Sequence, residues 1–311
     1  MAAGLKDYID LFSGEKSGHL TRFGFMCDDS YYEKLLAHTD YYLCSVESDL
    51  IESCRDKIGS FIADVHQVVE LGPGYLTSVE KKTIPLLKSL SSFKTYCALD
   101  SNDEFAKLAA REVENVFGCK QLHAQYNYLS SIEKVRQYLS TSILNNCVIF
   151  LGSSIGNLSE QDIAKLFANI SSMTRSGDYF ILSMDCNQDE ESLEAAYNNY
   201  WLKQISRNIM RYLKVLADIP NFDPEDFEFS YKWNRDKRTV EMGLISNSSQ
   251  IVTLQGQEFK INQGDYFHLI NSRKFIETEF FTILKNNNFK VSCIFDSKPK
   301  GFMKFFICHK A

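Results

Sequence analysis

One apolar segment of the chain ends abruptly in small and polar residues that could bind a ligand. Residues 147–151 are hydrophobic and predict a buried strand, and Gly152, Gly156 and Asn157 follow it. Glycine lets a ligand approach the main chain closely, and an asparagine amide both donates and accepts hydrogen bonds. Ligands of open α/β sheets bind beyond the carboxyl ends of the strands, so this segment is a candidate site. An ordinary strand and turn would give the same pattern.

Two further glycines, Gly72 and Gly74, follow a second apolar segment that contains Glu70. The next predicted strand ends in Asp100, whose carboxylate could accept hydrogen bonds from the two ribose hydroxyls of an adenosine. Glu70 could accept another hydrogen bond from the same ligand. The proline between the glycines lacks the N–H that a pyrophosphate would use, and the third glycine of a dinucleotide fingerprint is missing. The pattern favours a ligand without phosphate, such as S-adenosylmethionine (SAM), over NAD or FAD.

A third predicted strand ends at Tyr126, Asn127 and Tyr128. The amide of Asn127 could bind the edge of an adenine, and either tyrosine could cover its face. A loop with core aromatic residues would account for this segment equally well.

Helical and strand patterns alternate through the middle of the chain. This alternation predicts parallel β-α-β units and a doubly wound α/β sheet. We expect helices over residues 47–62, 80–90, 103–117, 130–140 and 159–173, and strands over residues 67–71, 95–99, 121–126, 147–151 and 179–184. The end of the chain returns to this pattern, with a helix over residues 273–286 and strands over residues 290–295 and 302–309.

The pattern differs between residues 186 and 275, which predicts an inserted second unit. One long helix is expected over residues 190–216, followed by an acidic stretch. Four short apolar runs then predict an antiparallel set of strands over residues 229–233, 239–246, 251–254 and 258–261.

The composition limits the classes of partner. The formal net charge is −6, whereas proteins that bind nucleic acid usually carry a basic surface, so no nucleic-acid partner is expected. No apolar run is long enough to span a membrane and no signal peptide is recognisable, which favours the cytoplasm and no membrane partner. The nine cysteines and six histidines show no metal-site spacing, so no metal is expected.

Several motifs together give a resemblance to a known family. Residues 150–158 are F-L-G-S-S-I-G-N-L, and A-Y-N-N, R-N, F-D-P-E-D-F-E, K-W-N and V-E-M stand at residues 196–199, 207–208, 222–228, 232–234 and 240–242. Over nearly its whole length the chain resembles the histidine-specific Nα-methyltransferases of ergothioneine biosynthesis. Fungal tryptophan-derivative N-methyltransferases and the methyltransferase domains of ovothiol enzymes are similar to the same family.

The resemblance implies a fold and a division of labour. The fold is the α/β class I SAM-dependent methyltransferase fold, Rossmann-like and doubly wound with an antiparallel last strand, carrying an inserted α+β substrate-specificity domain. Residues 47–185 and 276–311 would form the SAM-binding domain, and residues 1–46 and 186–275 would form the substrate-recognition domain. The expected molecule is a monomer.

The resemblance also implies where SAM is bound. Its contacts would fall on Gly72, Asp100, Asn127 and Tyr128, the last two standing where the family has Asp-Phe. An amide oxygen can still accept a hydrogen bond from the adenine amine. A family lysine after the glycine turn would match Lys82 only if this chain carries an insertion.

For the substrate, the resemblance implies an amino acid. Asn157, Tyr197 and Tyr41 would bind the carboxylate and α-amine, and Gly152 would add a backbone contact. Asn157, Tyr197 and Tyr41 also make up the expected catalytic group, because methyl transfer to a neutral amine needs orientation more than a strong base. The α-amino-acid head group should therefore still bind.

The side-chain pocket departs from the family pattern. Where histidine enzymes have a glutamate two residues before a serine, this chain has Ile270 before Ser272, and a family tyrosine near the amine is replaced by Phe25. Met242, in the matched V-E-M run, is assigned to the same pocket. Loss of a buried acceptor for an imidazole N–H costs about 1–3 kcal/mol, so histidine would lose its advantage. If histidine is nevertheless the substrate, Asn271 is the candidate partner for the imidazole.

These observations predict a SAM-dependent N-methyltransferase acting on the α-amino group of an amino acid or close derivative, with an aromatic or apolar side chain favoured. Three alternatives stay open. The first is a histidine Nα-methyltransferase, and the second is an inactive SAM-binding scaffold. The third, a protein or RNA methyltransferase, is disfavoured by the acidic charge.

Overall fold

The computed structural model describes residues 4–62, 64–90, 93–127 and 145–311. Tyr128 and the helix expected over residues 130–140 lie outside the described residues. The chain divides into two compact units: a larger unit of Tyr42–Gln188 and Lys274–Ala311, and a smaller unit of Met1–Tyr41 and Asp189–Arg273. The division of labour between a SAM-binding and a substrate-recognition domain stays a prediction.

The described helices bury one face each, as the spacing of their apolar residues predicts. A π-helical turn, Val79–Thr83, joins α4 to α5, and 3₁₀ turns cover Thr21–Phe25 and Ser154–Asn157. In chain order the helices are α1 (Leu5–Phe12), α2 (Ser30–Leu36), α3 (Tyr42–Ile58), α4 (Leu76–Ser78), α5 (Ile84–Leu87), α6 (Asp103–Phe117), α7 (Glu160–Met173), α8 (Glu190–Tyr197), α9 (Tyr200–Ala217) and α10 (Glu277–Asn286).

The strands of the described residues form three sheets, one in the larger unit and two in the smaller. In chain order they are β1 (Val65–Leu71), β2 (Thr95–Asp100), β3 (Lys120–Gln125), β4 (Asn145–Phe150), β5 (Tyr179–Asp185), β6 (Phe227–Asn234), β7 (Thr239–Ser246), β8 (Gln250–Leu254), β9 (Gln257–Ile261), β10 (Tyr266–Arg273), β11 (Phe289–Asp296) and β12 (Met303–Lys310).

The larger unit contains a seven-stranded sheet in the order β11-β12-β5-β4-β1-β2-β3. Strands β1 to β5 are parallel where they pair, and β12 runs antiparallel to both β5 and β11. This is a doubly wound sheet with a reversed last strand. The predicted Rossmann-like class I methyltransferase fold is therefore confirmed.

The core of this sheet fixes the strand ends at which chemistry is expected. Val69, Val148 and Phe180 of three adjacent strands pack in one buried cluster with Phe167 of α7. Burial of each side chain of this size contributes about 1.5–3 kcal/mol. Because β1, β2 and β4 are parallel, their carboxyl ends lie at the same edge of the sheet, and the glycine and acidic residues that follow them lie there too.

The smaller unit is an α+β unit with an antiparallel three-stranded sheet in the order β10-β7-β6. Strands β8 and β9 form a separate hairpin. A short segment of the N-terminal region runs beside β10, since the N–H groups of Gly18 and Leu20 donate to the carbonyls of His268 and Leu269, each at 2.9 Å. The four predicted strands are present and pair antiparallel, β6 with β7 and β8 with β9, but they belong to two sheets, and β10 was not predicted.

Two predicted elements of the smaller unit were wrong. Residues 190–216 form two helices, not one: α8 ends at Tyr197, and Asn199 caps α9 by accepting from the backbone N–H groups of its first turn, those of Trp201 and Leu202. An asparagine is a strong N-cap, so it favours a new helix start over a continuous helix.

The second error concerns the return to the larger unit. Residues 273–286 were expected to be helical, but strand β10 extends to Arg273 and α10 begins only at Glu277. The aromatic and β-branched residues of β10 suit a pleated strand, which the sequence prediction overlooked.

None of the described helices is long and apolar enough to cross a bilayer. Within the same described part of the chain, no group of three or more His, Cys, Asp or Glu side chains is arranged to bind a metal ion. All nine cysteines are free thiols.

Candidate active site

The turn after β1 leaves open space beside the main chain. Gly72 and Gly74 both have positive φ angles, of 68° and 73°, a region that favours glycine. The N–H of Gly72 donates to the carbonyl of Leu99 at 2.7 Å, which fixes the turn against β2. A Cβ atom added at Gly72 would meet nothing within 4 Å. The turn therefore offers room for a ligand at its first glycine.

Asp100 lies at the end of β2, next to this turn. Its carboxylate accepts hydrogen bonds from the backbone N–H groups of Gly74, at 3.1 Å, and Asn102, at 2.9 Å. Burial raises the pKa of the Asp100 carboxyl, while these hydrogen bonds oppose that shift. Two of the features predicted to bind SAM, the glycine turn and the acid of the next strand, are thus joined by a direct contact.

Glu70 is buried near the end of β1 and has internal partners for both carboxylate oxygens. Thr83 donates to one oxygen at 2.8 Å, and the Tyr96 hydroxyl donates to the other at 2.5 Å. Burial raises the pKa of Glu70 to about 7, against the opposing effect of these two donors. The hydrogen bond from SAM to Glu70 stays a prediction. SAM would have to donate to a carboxylate lone pair that Thr83 and Tyr96 do not already use.

The third strand end lies beside the second. The N–H of Tyr126 donates to the carbonyl of Asp100 at 2.7 Å, and Asn127 follows, half-buried. The proposed adenine-binding segment therefore adjoins the acid that was predicted to bind the ribose. Tyr128, the other residue assigned to the adenine, lies outside the described part of the chain.

The loop after β4 bends sharply through residues with positive φ. Gly152 has a φ of 76° and Ser153 a φ of 53°, and the 3₁₀ turn Ser154–Asn157 follows. The N–H of Gly152 donates to Oε1 of Glu47 at 2.8 Å. Asn157 is half-buried at the end of the turn.

Glu47 belongs to a buried polar cluster that the sequence prediction missed. Oε1 of Glu47 also accepts a short hydrogen bond from the Ser183 hydroxyl on β5, and Oε2 lies 3.0 Å from Nζ of Lys82. The loop after β4 is therefore hydrogen-bonded to a carboxylate that is itself paired with a lysine. One signal could have indicated this, because Glu47 stands at helical spacing among the buried residues Leu43, Leu50 and Ile51 of α3.

In the smaller unit, three of the predicted substrate residues form one cluster. The hydroxyl of Tyr197, the last residue of α8, lies 2.9 Å from the hydroxyl of Ser272 on β10. The ring of Tyr41 meets the ring of Tyr197 edge-on, with centroids 6.0 Å apart. Tyr197 and Ser272 are buried and Tyr41 is half-buried. The predicted tyrosine pair is therefore close in space.

The predicted side-chain pocket residues Ile270 and Met242 are direct neighbours on strands β10 and β7. Their side chains are 3% and 2% exposed. Tyr231 of β6 lies opposite Met242, so Ile270, Met242 and Tyr231 form one row across the three strands. Since side chains alternate along a strand, Ser272 shares the face of Ile270. This row of the sheet is apolar at the position where the resemblance predicts a glutamate.

Phe25 lies in the 3₁₀ turn Thr21–Phe25, and its ring centroid is 4.6 Å from that of Tyr32. The turn follows the segment that pairs with β10, where His19 lies opposite Ile270. Phe25 thus lies six residues after His19, a residue of the segment that pairs with the pocket strand, and its assignment to the pocket stays a prediction.

Comparison with known protein families gives a match over most of the chain. A family model described as "Histidine-specific methyltransferase, SAM-dependent" matches residues 29–309. That range includes the glycine turn, the loop of β4 and the strands of the smaller unit.

Curated relatives carry related names. An N-methyltransferase of Aspergillus flavus, imqF, is 21% identical over 270 residues, which is 84% of this chain and 72% of the relative. A histidine N-alpha-methyltransferase of Mycobacterium tuberculosis is 22% identical over 74% of this chain and 70% of its own length. A 4-dimethylallyltryptophan N-methyltransferase of Trichophyton verrucosum, easF, is 26% identical over 68% of this chain and 65% of its own length.

Proposed function

The chain belongs to the family of histidine-specific, SAM-dependent methyltransferases, and we propose that its acceptor is the α-amino group of an amino acid with an aromatic or apolar side chain, or of a close derivative. It is a SAM-dependent N-methyltransferase, as the sequence predicts.

One observation carries the substrate assignment: Ile270 lies directly opposite Met242 in a buried apolar row. A histidine side chain placed there would lose a hydrogen-bond partner for its imidazole N–H. An unsatisfied buried donor costs about 1–3 kcal/mol, which is about 5- to 150-fold in affinity. A phenylalanine ring has no polar atom and gains from burial, and the larger indole of tryptophan has one N–H but buries more apolar area.

The neighbouring polar residue does not supply the missing partner. Asn271 alternates to the opposite face of β10 from Ile270, and its amide donates to the carbonyl of Gly18 at 3.2 Å. This supports an apolar acceptor over histidine.

The residues at the strand ends fit SAM. Open space at Gly72 would receive part of the molecule, and the Asp100 carboxylate, next to the turn, has lone pairs for ribose hydroxyls. We propose that Gly74, Asn127 and Tyr128 complete this site and that Glu70 contributes a hydrogen bond. SAM, when bound, supplies an electrophilic methyl group on a positively charged sulfur.

The amino-acid head group would be bound by Asn157, Tyr197 and Tyr41, with Gly152 as a backbone contact. The hydroxyl pair of Tyr197 and Ser272 suits this role, because a Tyr197 that donates to Ser272 keeps oxygen lone pairs to accept an N–H of the amine. Orienting the amine lone pair is the main requirement, since a neutral amine is itself a good nucleophile.

A panel of the 20 amino acids, with 4-dimethylallyltryptophan added, tests the proposal. Each compound is incubated with the protein and methyl-labelled SAM, and products are identified by mass spectrometry. We expect methylated tryptophan, tyrosine, phenylalanine or the tryptophan derivative to exceed methylated histidine, and the products to be lost with Asn157→Ala. Histidine as the clearly preferred acceptor would overturn the pocket assignment. A protein without any small-molecule product would overturn the proposal itself.

A further inference from the structure

Asp185, at the end of β5, accepts hydrogen bonds from two other segments of the larger unit and from its own segment. Its Oδ2 accepts from the Tyr42 hydroxyl at 2.7 Å and from Nζ of Lys274 at 2.6 Å. Its Oδ1 accepts from the backbone N–H of Asn187 at 2.9 Å. Asp185 is 1% exposed and Lys274 is fully buried. One buried carboxylate thus binds the three segments together.

These three segments are the places where the chain passes from one unit to the other. The chain passes between the units after residues 41, 188 and 273. Tyr42 and Lys274 are the first residues of the larger unit at two of these points, and Asn187 is the last but one at the third. Asp185 therefore fixes the larger unit's side of every crossing.

Two residues proposed to bind substrate stand beside these anchors in the chain. Tyr41 directly precedes Tyr42, and Ser272 is two residues before Lys274. Adjacent Cα atoms are about 3.8 Å apart, so neither residue's Cα can lie more than about 8 Å from an anchored one.

We propose that Asp185 is a positioning residue for the amino-acid substrate: by binding Tyr42 and Lys274 it fixes the main chain that carries Tyr41 and Ser272. This inference rests on the proposed function. It predicts an effect on the binding of the amino acid, with the binding of SAM unchanged.

Stability alone is a poor explanation for this cluster. A buried ion pair costs much of its own attraction in lost hydration, and well-packed apolar residues of similar volume are often at least as stabilising. A carboxylate with three directional donors, by contrast, restricts the geometry of the groups bound to it. The arrangement therefore suits a positional requirement.

The main test replaces Tyr42 by Phe, which removes one donor and keeps the ring against Phe302, 5.3 Å away between centroids. With L-tryptophan, or the acceptor that the panel ranks first, we expect KM for the amino acid to rise about five- to tenfold. The dissociation constant of SAM, measured by calorimetry, should stay within twofold. An unchanged KM for the amino acid would overturn the inference.

The matched control is Tyr8→Phe. Tyr8 is also buried, and its hydroxyl donates to the carbonyl of Ile209 at 2.7 Å, far in the chain from any crossing. This variant also loses a buried tyrosine hydrogen bond, although to a neutral carbonyl and not to a carboxylate, so its thermal stability should fall while KM stays at the wild-type value. A rise in KM equal to that of Tyr42→Phe would identify a general effect of destabilisation and reject the positioning role.

A second pair of variants separates position from stability. Asp185→Asn leaves Lys274 as a buried unpaired charge, and the protein is expected to fold poorly. The double variant Asp185→Asn/Lys274→Met removes that charge, so folded yield and SAM binding should recover while KM stays raised. Recovery of KM together with stability would overturn the inference. A wild-type protein that methylates no amino acid would instead overturn the proposed function, so the two failures are distinct.

Discussion

The backbone N–H of Gly152 donates to the side chain of Glu47 at 2.8 Å, although the two residues are 105 positions apart in the chain. This hydrogen bond connects the loop that carries Asn157 to a carboxylate on α3. Lys82 neutralises that carboxylate from the π-helical turn, 3.0 Å away. The loop proposed to bind the substrate head group thus depends on a charge pair supplied by two other elements.

We therefore expect Lys82→Met to destabilise the larger unit. Glu47 would become a buried unpaired charge, which costs about 3–5 kcal/mol. Urea unfolding followed by fluorescence measures this loss, and the double variant Glu47→Gln/Lys82→Met should recover much of it. Lys81→Met, at the exposed neighbouring position, is the control and should change the free energy of unfolding by less than about 0.5 kcal/mol. Equal effects of the two single variants would contradict the role of the pair.

The binding of SAM should depend on Asp100. Replacement by Ala removes an acceptor proposed for the ribose hydroxyls and leaves the N–H of Gly74 without its partner. Hydrogen bonds to charged groups contribute about 1.5–3 kcal/mol, so affinity should fall about 10- to 150-fold. Calorimetry with SAM and with its demethylated product measures this, and Asp103→Ala, at an exposed position, should bind as the wild type does. If Asp100→Ala bound SAM with wild-type affinity, the ribose hydroxyls would not be bound by Asp100.

Acceptor preference should respond to a charge at Ile270. Ile270→Glu introduces an acceptor for an imidazole N–H beside Met242, and it buries a carboxylate that histidine can satisfy and phenylalanine, which has no side-chain donor, cannot. The ratio of kcat/KM for histidine to that for phenylalanine should rise about 10- to 100-fold. Ile251→Glu, on an exposed position of β8, should leave the ratio unchanged. An unchanged ratio for Ile270→Glu would mean that this row does not contact the acceptor side chain.

Stability should depend on pH through Glu70, whose pKa is raised by burial from 4.5 to about 7. A carboxyl whose pKa is higher in the folded state contributes stability that is fully present below about pH 4.5 and is lost as the pH rises through about 7. The urea midpoint of the wild type should therefore fall relative to that of Glu70→Gln between pH 5 and pH 8. Glu104→Gln, at an exposed position, should follow the wild type at every pH. A constant difference between wild type and Glu70→Gln would show that Glu70 does not titrate in this range.

Much of the larger unit could be predicted from local sequence. The glycine turn after β1, the acid that ends β2 and the loop after β4 were recognised because each follows an apolar run, and the parallel sheet brings such strand ends to one edge. The contact between Gly74 and Asp100 follows directly from that topology.

The remaining contacts depend on long-range geometry that a pattern of residue types does not contain. The bond from Gly152 to Glu47 joins residues with no shared motif, and the pairing of Tyr197 with Ser272 needs the register of β10, a strand that the sequence prediction did not assign. The break between α8 and α9 was missed because the helical spacing of apolar residues continues through Asn199. The start of α9 is decided instead by the Asn199 side chain, which caps it.

The π-helical turn Val79–Thr83 also bears on how this chain is compared with others. A π turn contains one residue more than an α turn, and one residue corresponds to a rotation of about 100° around a helix axis. A chimera built with one residue fewer in this segment, from an alignment that closes a one-residue gap here, would therefore turn Lys82 to another side of its helix. Its side chain would then be out of reach of Glu47. A graft from a relative with an uninterrupted helix would need to keep the extra residue of the π turn, however similar the two sequences are.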